Sequence, residues 1–183
     1  LPDTIFVMSE PSDHLRRLVA AAQEGDDVAI RELVRLTQPV IWRLCSLLGS
    51  PGDEDDLVQD TYLRALRSLS TYRGDGSVIG WLSAIARRVC ADHIRLRIRQ
   101  RRLIGVLAPV AEDHLADPPG NPTRQLVDVL DADRREAFLL TQVAGLSYEE
   151  AAMVLGCPIG TIRSRVARAR VELATEVRSA EAC

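Results

Sequence analysis

The stretch GLSYEEAAMVLGCPIGTIRSRVARAR, residues 145–170, constrains the fold more than any other part of the chain. Ser147 stands three residues before Glu150, the spacing of a capping box that opens a helix. Leu146, Ala151, Val154 and Leu155 form its expected buried side, and Gly156 is placed to end it in the left-handed conformation. Pro158 suits the start of a second helix, where a missing N–H costs nothing. In that helix Ile162, Val166, Ala169 and Leu173 recur at i, i+4, i+7 and i+11, which places them on one narrow apolar stripe. Gly160, Ser164, Ala167 and Arg168 point away from it, Arg163 and Arg170 flank it on one side, and Arg165 flanks it on the other. A solvated helix held by ion pairs would interleave glutamate with its arginines, and this one carries no acid from Arg163 to Arg170. The pattern predicts a helix-turn-helix whose second helix enters a DNA major groove. An ordinary helical hairpin with a basic solvated face is the alternative. A third helix, DRREAFLLTQVAG, precedes the pair, with Asp133 and Glu136 as its expected capping residues and Gly145 closing it.

The charge distribution supports nucleic-acid contact at two places. Residues 87–102 hold seven arginines against Asp92, a net +6, and residues 163–170 add +4, so within a total of −3 the remainder carries −13. All 23 basic residues are arginine, the side chain suited to bidentate phosphate and guanine contacts. Aromatic residues make up only 4% against 46% hydrophobic, which suits aliphatic helix packing. No apolar run is long enough for a membrane span, and the N-terminus lacks the pattern of a signal peptide, so a cytoplasmic protein without membrane insertion is expected.

The expected fold class is all-α, two small helical domains joined by a flexible linker. Residues 1–13 read as a loose tail. Helices are expected at 14–24 and 26–48, the second kinked at Pro39, then from the GSPGDED turn to about Leu69, with Asp53, Glu54 and Asp55 at its start. Its core stripe reads as Val58, Tyr62, Ala65, Leu66 and Leu69. After the STYRGDGS loop, a long helix runs from Val78 to Arg102. Residues 103–123, with four prolines and the acids Glu112, Asp113 and Asp117, read as an extended linker. The second domain is expected over 124–178, with a tail at 179–183.

The acidic string DEDDLVQD, from Asp53 to Asp60, admits three readings: helix capping, a metal site for a nuclease, or a docking surface for a protein partner. No supporting array of His, Asp or Glu accompanies it. Asp56, Gln59 and Asp60 beside Leu57 and Leu63 make the mixed surface that suits a protein partner. Cys45, Cys90, Cys157 and Cys183 have no paired metal spacing. Cys90 and His93 form a lone C-x-x-H pair, and buried or idle thiols are expected instead.

The order of DLVQDTYLRAL, YRGDGSVIGWLSAIARRVCADHIRLRIRQRR, a Pro-rich spacer and REAFLLTQVAGLSYEEAAMVLGCPIGTIRSRVARAR resembles the extracytoplasmic-function (ECF) group of sigma-70 family sigma factors, over about residues 14–178. The resemblance implies that 14–102 is sigma region 2 and 124–178 sigma region 4. It implies no enzyme activity and no cofactor. It implies docking on the coiled coil of the largest polymerase subunit through Asp56, Leu57, Gln59, Asp60, Leu63 and Arg64, with the polymerase flap region as a further contact. The −10 element, captured as melted strand, would meet Tyr72, Arg73, Asp75, Trp81, Ala84, Ile85, Arg87, Arg88, Asp92 and Arg95. The −35 duplex would meet Pro158, Gly160, Thr161, Arg163, Ser164, Arg165, Ala167 and Arg168. The linker would run through the polymerase toward the RNA path. An anti-sigma factor is an expected partner. Ser83 stands where the family often has an aromatic, and Arg88 where asparagine is common. A free-standing helix-turn-helix repressor or activator is the competing function, and it leaves the first hundred residues unexplained.

Overall fold

The structure, a computed structural model, describes residues 10–107 and 121–181. The linker acids Glu112, Asp113 and Asp117 and most of both expected tails lie outside the described residues. The described residues form eight α-helices and no strand. In chain order these are α1 (Glu10–Gln23), α2 (Asp27–Leu48), α3 (Glu54–Arg67), α4 (Val78–Leu107), α5 (Pro122–Asp128), α6 (Ala132–Phe138), α7 (Tyr148–Leu155) and α8 (Ile159–Glu181). Leu69–Thr71 makes a short 3₁₀ turn after α3, and Leu139–Val143 continues α6 as a π-helical segment.

The boundaries follow local chemistry. Asp26 caps α2 by accepting from the N–H groups of Val28 (2.8 Å) and Ala29 (3.2 Å), as a short carboxylate at that position should. The α2 helix is helical on both sides of Pro39, the expected kink site, and continues past it to Leu48. The α4 helix outruns the expected end at Arg102 and reaches Leu107, and α5 begins at Pro122, so both ends of the expected linker are helical. Helices also extend into the expected tails, from Glu10 and to Glu181. Asn121 caps α5 with Pro122 in the first helical position, the place where a missing N–H is harmless.

The core is aliphatic and continuous from α1 to α8. Val78, Leu82, Ala86 and Val89 lie on one stripe of α4 and pack among Ile41, Leu44, Val58 and Ala65 of α2 and α3. The same cluster passes into the second half through Val127, Ala137, Leu139, Leu140, Ala151 and Ile162. The two halves are also joined by polar contacts. Arg124 of α5 donates to the Ser46 carbonyl (2.6 Å) and to that of Gly49, placing a cation on the exposed carbonyls at the end of α2. Leu66, expected in the core stripe of α3, is 38% exposed, whereas Leu57 and Thr61 are buried. The buried face is therefore rotated toward residues 57, 58, 61, 62 and 65, which bring α3 against α2 and α4 together.

One buried hydrogen bond in this core has a fixed direction. The single hydroxyl proton of Thr37 goes to the Leu33 carbonyl (2.7 Å), so Tyr62 must donate its phenolic proton to Thr37 Oγ1 (2.7 Å), because a hydroxyl has only one proton to give. Burial pushes the Tyr62 phenol up to about 12. Because the raised value belongs to the folded state, this stabilisation is complete below about pH 10 and is lost as pH climbs toward 12. Tyr62→Phe should cost about 1 kcal/mol in urea unfolding at neutral pH, leaving Thr37 Oγ1 short of a donor. The variant should also lack the highest tyrosine ionisation in a spectrophotometric titration.

Candidate nucleic-acid interface

The turn from α7 to α8 folds as its residues dictate. Ser147 and Glu150 form the reciprocal capping box, with Glu150 N–H donating to Ser147 Oγ (3.1 Å) and Ser147 N–H to Glu150 Oε2 (2.9 Å). Gly156 adopts φ 63°, where a side chain would be strained. The chain then turns through Cys157 and Pro158, and the Pro158 carbonyl accepts from Thr161 N–H (2.9 Å). Ile162, Val166 and Ala169 are fully buried against α6 and α7, with Leu173 continuing the stripe. That burial fixes the rotation of α8 about its axis and so decides which residues face outward.

Outward are Gly160, Arg163, Ser164, Ala167 and Arg168, with Pro158 exposed at the start and Thr161 half-buried. A Cβ at Gly160 would meet nothing within 4 Å, so the glycine keeps the face low rather than relieving a clash. Ser164 Oγ is bonded back to the Thr161 carbonyl (2.9 Å). Among the described residues neither Arg163 nor Arg168 has an ion-pair partner. Arg165 is held by Asp133 of α6 instead of pointing outward, and Arg170 donates to Gln142 Oε1 (2.9 Å). The four arginines thus divide into two free and two tethered.

That tether corrects the expected cap of α6. Asp131 is the cap, accepting from Arg134 N–H (2.9 Å). Asp133 and Glu136 face outward from α6 to arginines on other helices, Arg165 and Arg87.

The second basic face is built by α4 and the loop before it. Gly74 and Gly76 take φ of 81° and 92°, turning the chain from Tyr72 into Val78 through a region that favours glycine. The Tyr72 and Trp81 rings lie 5.1 Å apart, tilted at 45°, a favoured aromatic geometry. Tyr72 OH donates to the Gly76 carbonyl (3.2 Å). Trp81, Ile85, Arg88, Asp92 and Arg95 share one side of α4 by helical spacing, the last three exposed, and Arg73 and Asp75 are exposed on the loop. Asp92 is not free: Arg64 (2.8 Å) and Arg95 (2.9 Å) both bind it, and the Arg64 guanidinium foremost holds its carboxyl below the usual range. Ser83 is fully buried with an unpartnered hydroxyl, so it presents nothing at the surface.

Arg87 lies on the side of α4 that meets α6, where its Nε binds Glu136 (2.8 Å). Ala84 lines a cleft with Asp75 and Trp81 on one wall and Glu150, Met153 and Val154 of α7 on the other. Ser77 N–H donates across the same junction to Glu150 Oε1 (3.2 Å). Burial pushes the Glu150 carboxyl up, but hydrogen bonds from Ser77 and Ser147 outweigh it and leave it below its ordinary value. The residues expected at the −10 element are therefore split between an open face and a covered one.

The third candidate surface is α3. Asp56, Gln59 and Leu63 are exposed, and Asp60 and Arg64 are paired (2.9 Å) and half-exposed. Leu57, expected on this surface, is 2% exposed and belongs to the core. Asp53 gives no cap to α3; its carboxylate binds Arg97 (2.6 Å) near His93 and ties α3 to α4. Between the two helices opens a cleft of about 260 Å³ with Asp56, Asp60, Asp92, His93 and Leu96 on its walls. Trp42, which the sequence pattern did not single out, is 41% exposed on α2 and donates to Asp55 Oδ1 (3.2 Å). A large ring standing off the buried stripe of Ile41, Leu44 and Cys45 was the available signal. Cys45 and Cys90 are free and buried, and the Cys45 thiol together with burial pushes the Cys90 thiol up.

Comparison with known proteins adds a second line of support. Residues 33–100 match the model of sigma-70 region 2, and residues 121–173 that of sigma-70 region 4. The chain is 44% identical over 162 residues to the ECF RNA polymerase sigma factor SigC of Mycobacterium tuberculosis, covering 84% of this chain and 85% of that one. Among solved structures, CnrH in complex with the cytosolic domain of CnrY superposes with a TM-score of 0.72 at 29% identity, covering 91% of this chain and 99% of that one. The sigma factor RpoE of Bartonella quintana, in complex with the anti-sigma factor NepR, superposes with a TM-score of 0.68 at 30% identity, covering 81% of this chain and 96% of that one. With an all-helical fold, a basic helix-turn-helix and these matches along most of its length, the chain belongs to the ECF sigma factors of the sigma-70 family.

Proposed function

We propose that this chain binds core RNA polymerase through α3 and directs it to promoters, with α8 reading the −35 duplex and α4 with its preceding loop holding the melted −10 strand. The observation that carries this reading is the outward face of α8. Arg163 and Arg168 stand unpaired among the described residues, turned away from a fully buried stripe. An arginine fork free of protein partners is available for a guanine edge or a phosphate. The role is one of specificity, not catalysis, and RNA synthesis belongs to the polymerase. It places the chain in the cytoplasm. The domain division that fits is region 2 on α1–α4 and region 4 on α5–α8.

The covered residues Ala84 and Arg87 add a requirement. To reach DNA they must part from α6 and α7, so the described arrangement precedes promoter binding, and the two halves separate in the complex. The two solved relatives are complexes with the cytosolic domain of CnrY and with the anti-sigma factor NepR. An anti-sigma partner that holds this chain away from polymerase is part of the same proposal.

Two results test the assignment of surfaces. Asp56→Ala with Asp60→Ala should weaken binding to core polymerase at least several-fold while far-ultraviolet circular dichroism stays unchanged, because neither acid is buried. Unaltered affinity would make the acidic string a cap and a solvated face.

Arg163→Ala or Arg168→Ala should relax preference at particular −35 bases by about 1–3 kcal/mol, read by transcription from single-base promoter variants with reconstituted holoenzyme. Thr161→Ala, by contrast, should weaken every promoter alike, since Thr161 sits at the helix start among N–H groups suited to phosphate. If both arginine variants lower all templates by one factor, α8 only grips the backbone.

A further inference from the structure

Between Arg163 and Arg170 the helix taken as the −35 reader carries four arginines but presents two. Arg165 lies on the flank of the buried stripe nearest α6, with only 24% of its side chain exposed. Its guanidinium is turned back onto Asp133, and Nη1 also lies 3.8 Å from Cys157 Sγ in the turn between α7 and α8. Asp133 itself is 67% exposed, so it takes little part in the core. The packing of α6 on α8 has independent fastenings. Arg134 binds both Glu172 of α8 and Asp131 (2.7 Å), and the buried stripe lies beneath them. An exposed pair such as Asp133 with Arg165 contributes little to folding. Its consequence falls on DNA binding.

An unpaired arginine beside a DNA groove binds whichever phosphate is in reach, and that contact carries no sequence information. Each such contact raises affinity for every duplex by the same factor, leaves the preference among bases unchanged, and makes binding more dependent on salt. Turning Arg165 out toward a phosphate would give up Asp133 and the Cys157 contact, and would leave an unpaired carboxylate facing the DNA backbone. We propose that Asp133 is a positioning residue: by holding Arg165 it withholds one cation from sequence-independent phosphate contact, which lowers the affinity for every duplex and its salt dependence and leaves base reading to Arg163 and Arg168. The inference rests on the reading of α8 as the −35 helix.

The test uses the full chain bound to core polymerase and double-stranded promoter fragments, with affinity followed as a function of salt and preference read on single-base −35 variants. In Asp133→Ala the freed Arg165 adds one phosphate contact. The slope of log K against log salt should steepen by about 0.9, so affinity falls roughly 3–4-fold further than wild type between about 50 and 200 mM salt. All −35 variants should bind more tightly at low salt by the same factor, so the spread between best and worst stays that of the wild type. Asp133→Glu should keep the wild-type slope and affinity, and Asp133→Ala combined with Arg165→Gln should return the slope to that of the wild type. Asp133→Asn carries the same expectation should the alanine variant fold poorly. The proposal is overturned if Asp133→Ala leaves the slope unchanged, or lowers all templates equally at the wild-type slope. Arg163→Ala separates the two levels of inference. If it shifts base preference while Asp133→Ala leaves the salt slope unchanged, only the role of Asp133 falls; if it shifts nothing, α8 is not the reader and both fall.

Discussion

Every other element takes its place from the buried stripe of α4. Val78, Leu82, Ala86 and Val89 pack against α2 and α3 on one side of that helix, and Gly80 and Ala84 let α7 approach on another. A Cβ at Gly80 would meet Ser77 Oγ at 3.2 Å and Leu146 Cδ2 at an ordinary 3.8 Å, so its tight neighbour is the serine just before the helix. One helix thus holds two aliphatic contacts and still leaves Ile85 and Arg88 on a third side, with Trp81 at the edge of the α7 cleft. With so few aromatic residues, close backbone approach through alanine and glycine fills the space that large rings fill in other cores.

The second organising feature is that arginine serves two purposes that only the structure separates. Arg124, Arg134 and Arg165 are scaffold residues, bonded to carbonyls or carboxylates on neighbouring helices. Arg163, Arg168 and Arg88 are surface residues without such partners among those described. Arg64 and Arg97 bind Asp92 and Asp53 and so join the proposed docking helix to α4. Occupying α3 therefore acts on a helix already linked by charge to the proposed −10 surface, a short physical path between the two interfaces.

Much of this was legible in the sequence because helical periodicity reports burial directly. The stripe of Ile162, Val166, Ala169 and Leu173, the capping box of Ser147 and Glu150, and the left-handed Gly156 all appear where their spacing puts them. What periodicity does not report is the partner of a polar side chain. Asp133 and Glu136 have the spacing of caps, yet they bind arginines 32 and 49 residues away. Asp53 stands at the start of α3 as its sequence suggests, but its carboxylate ties that start to Arg97 instead of capping it. Leu57 and Leu66 exchange expected places because α3 packs against two helices at once, which rotates its buried face beyond a single stripe. Arg87 was readable as basic, but its cover by Glu136 is a tertiary fact.

This chain is proposed to open and read promoters only as part of polymerase. Footprinting of a target promoter tests it most directly, with permanganate to mark unpaired thymines and a duplex-cleaving nuclease to report protection. With core polymerase and this chain together, thymines of the −10 element should become reactive while the −35 duplex is protected, and the chain alone should do neither at the same concentration. Protection of a duplex site by the chain alone, as a dimer and without reactive thymines when core is added, would contradict the account and make the protein a free-standing regulator.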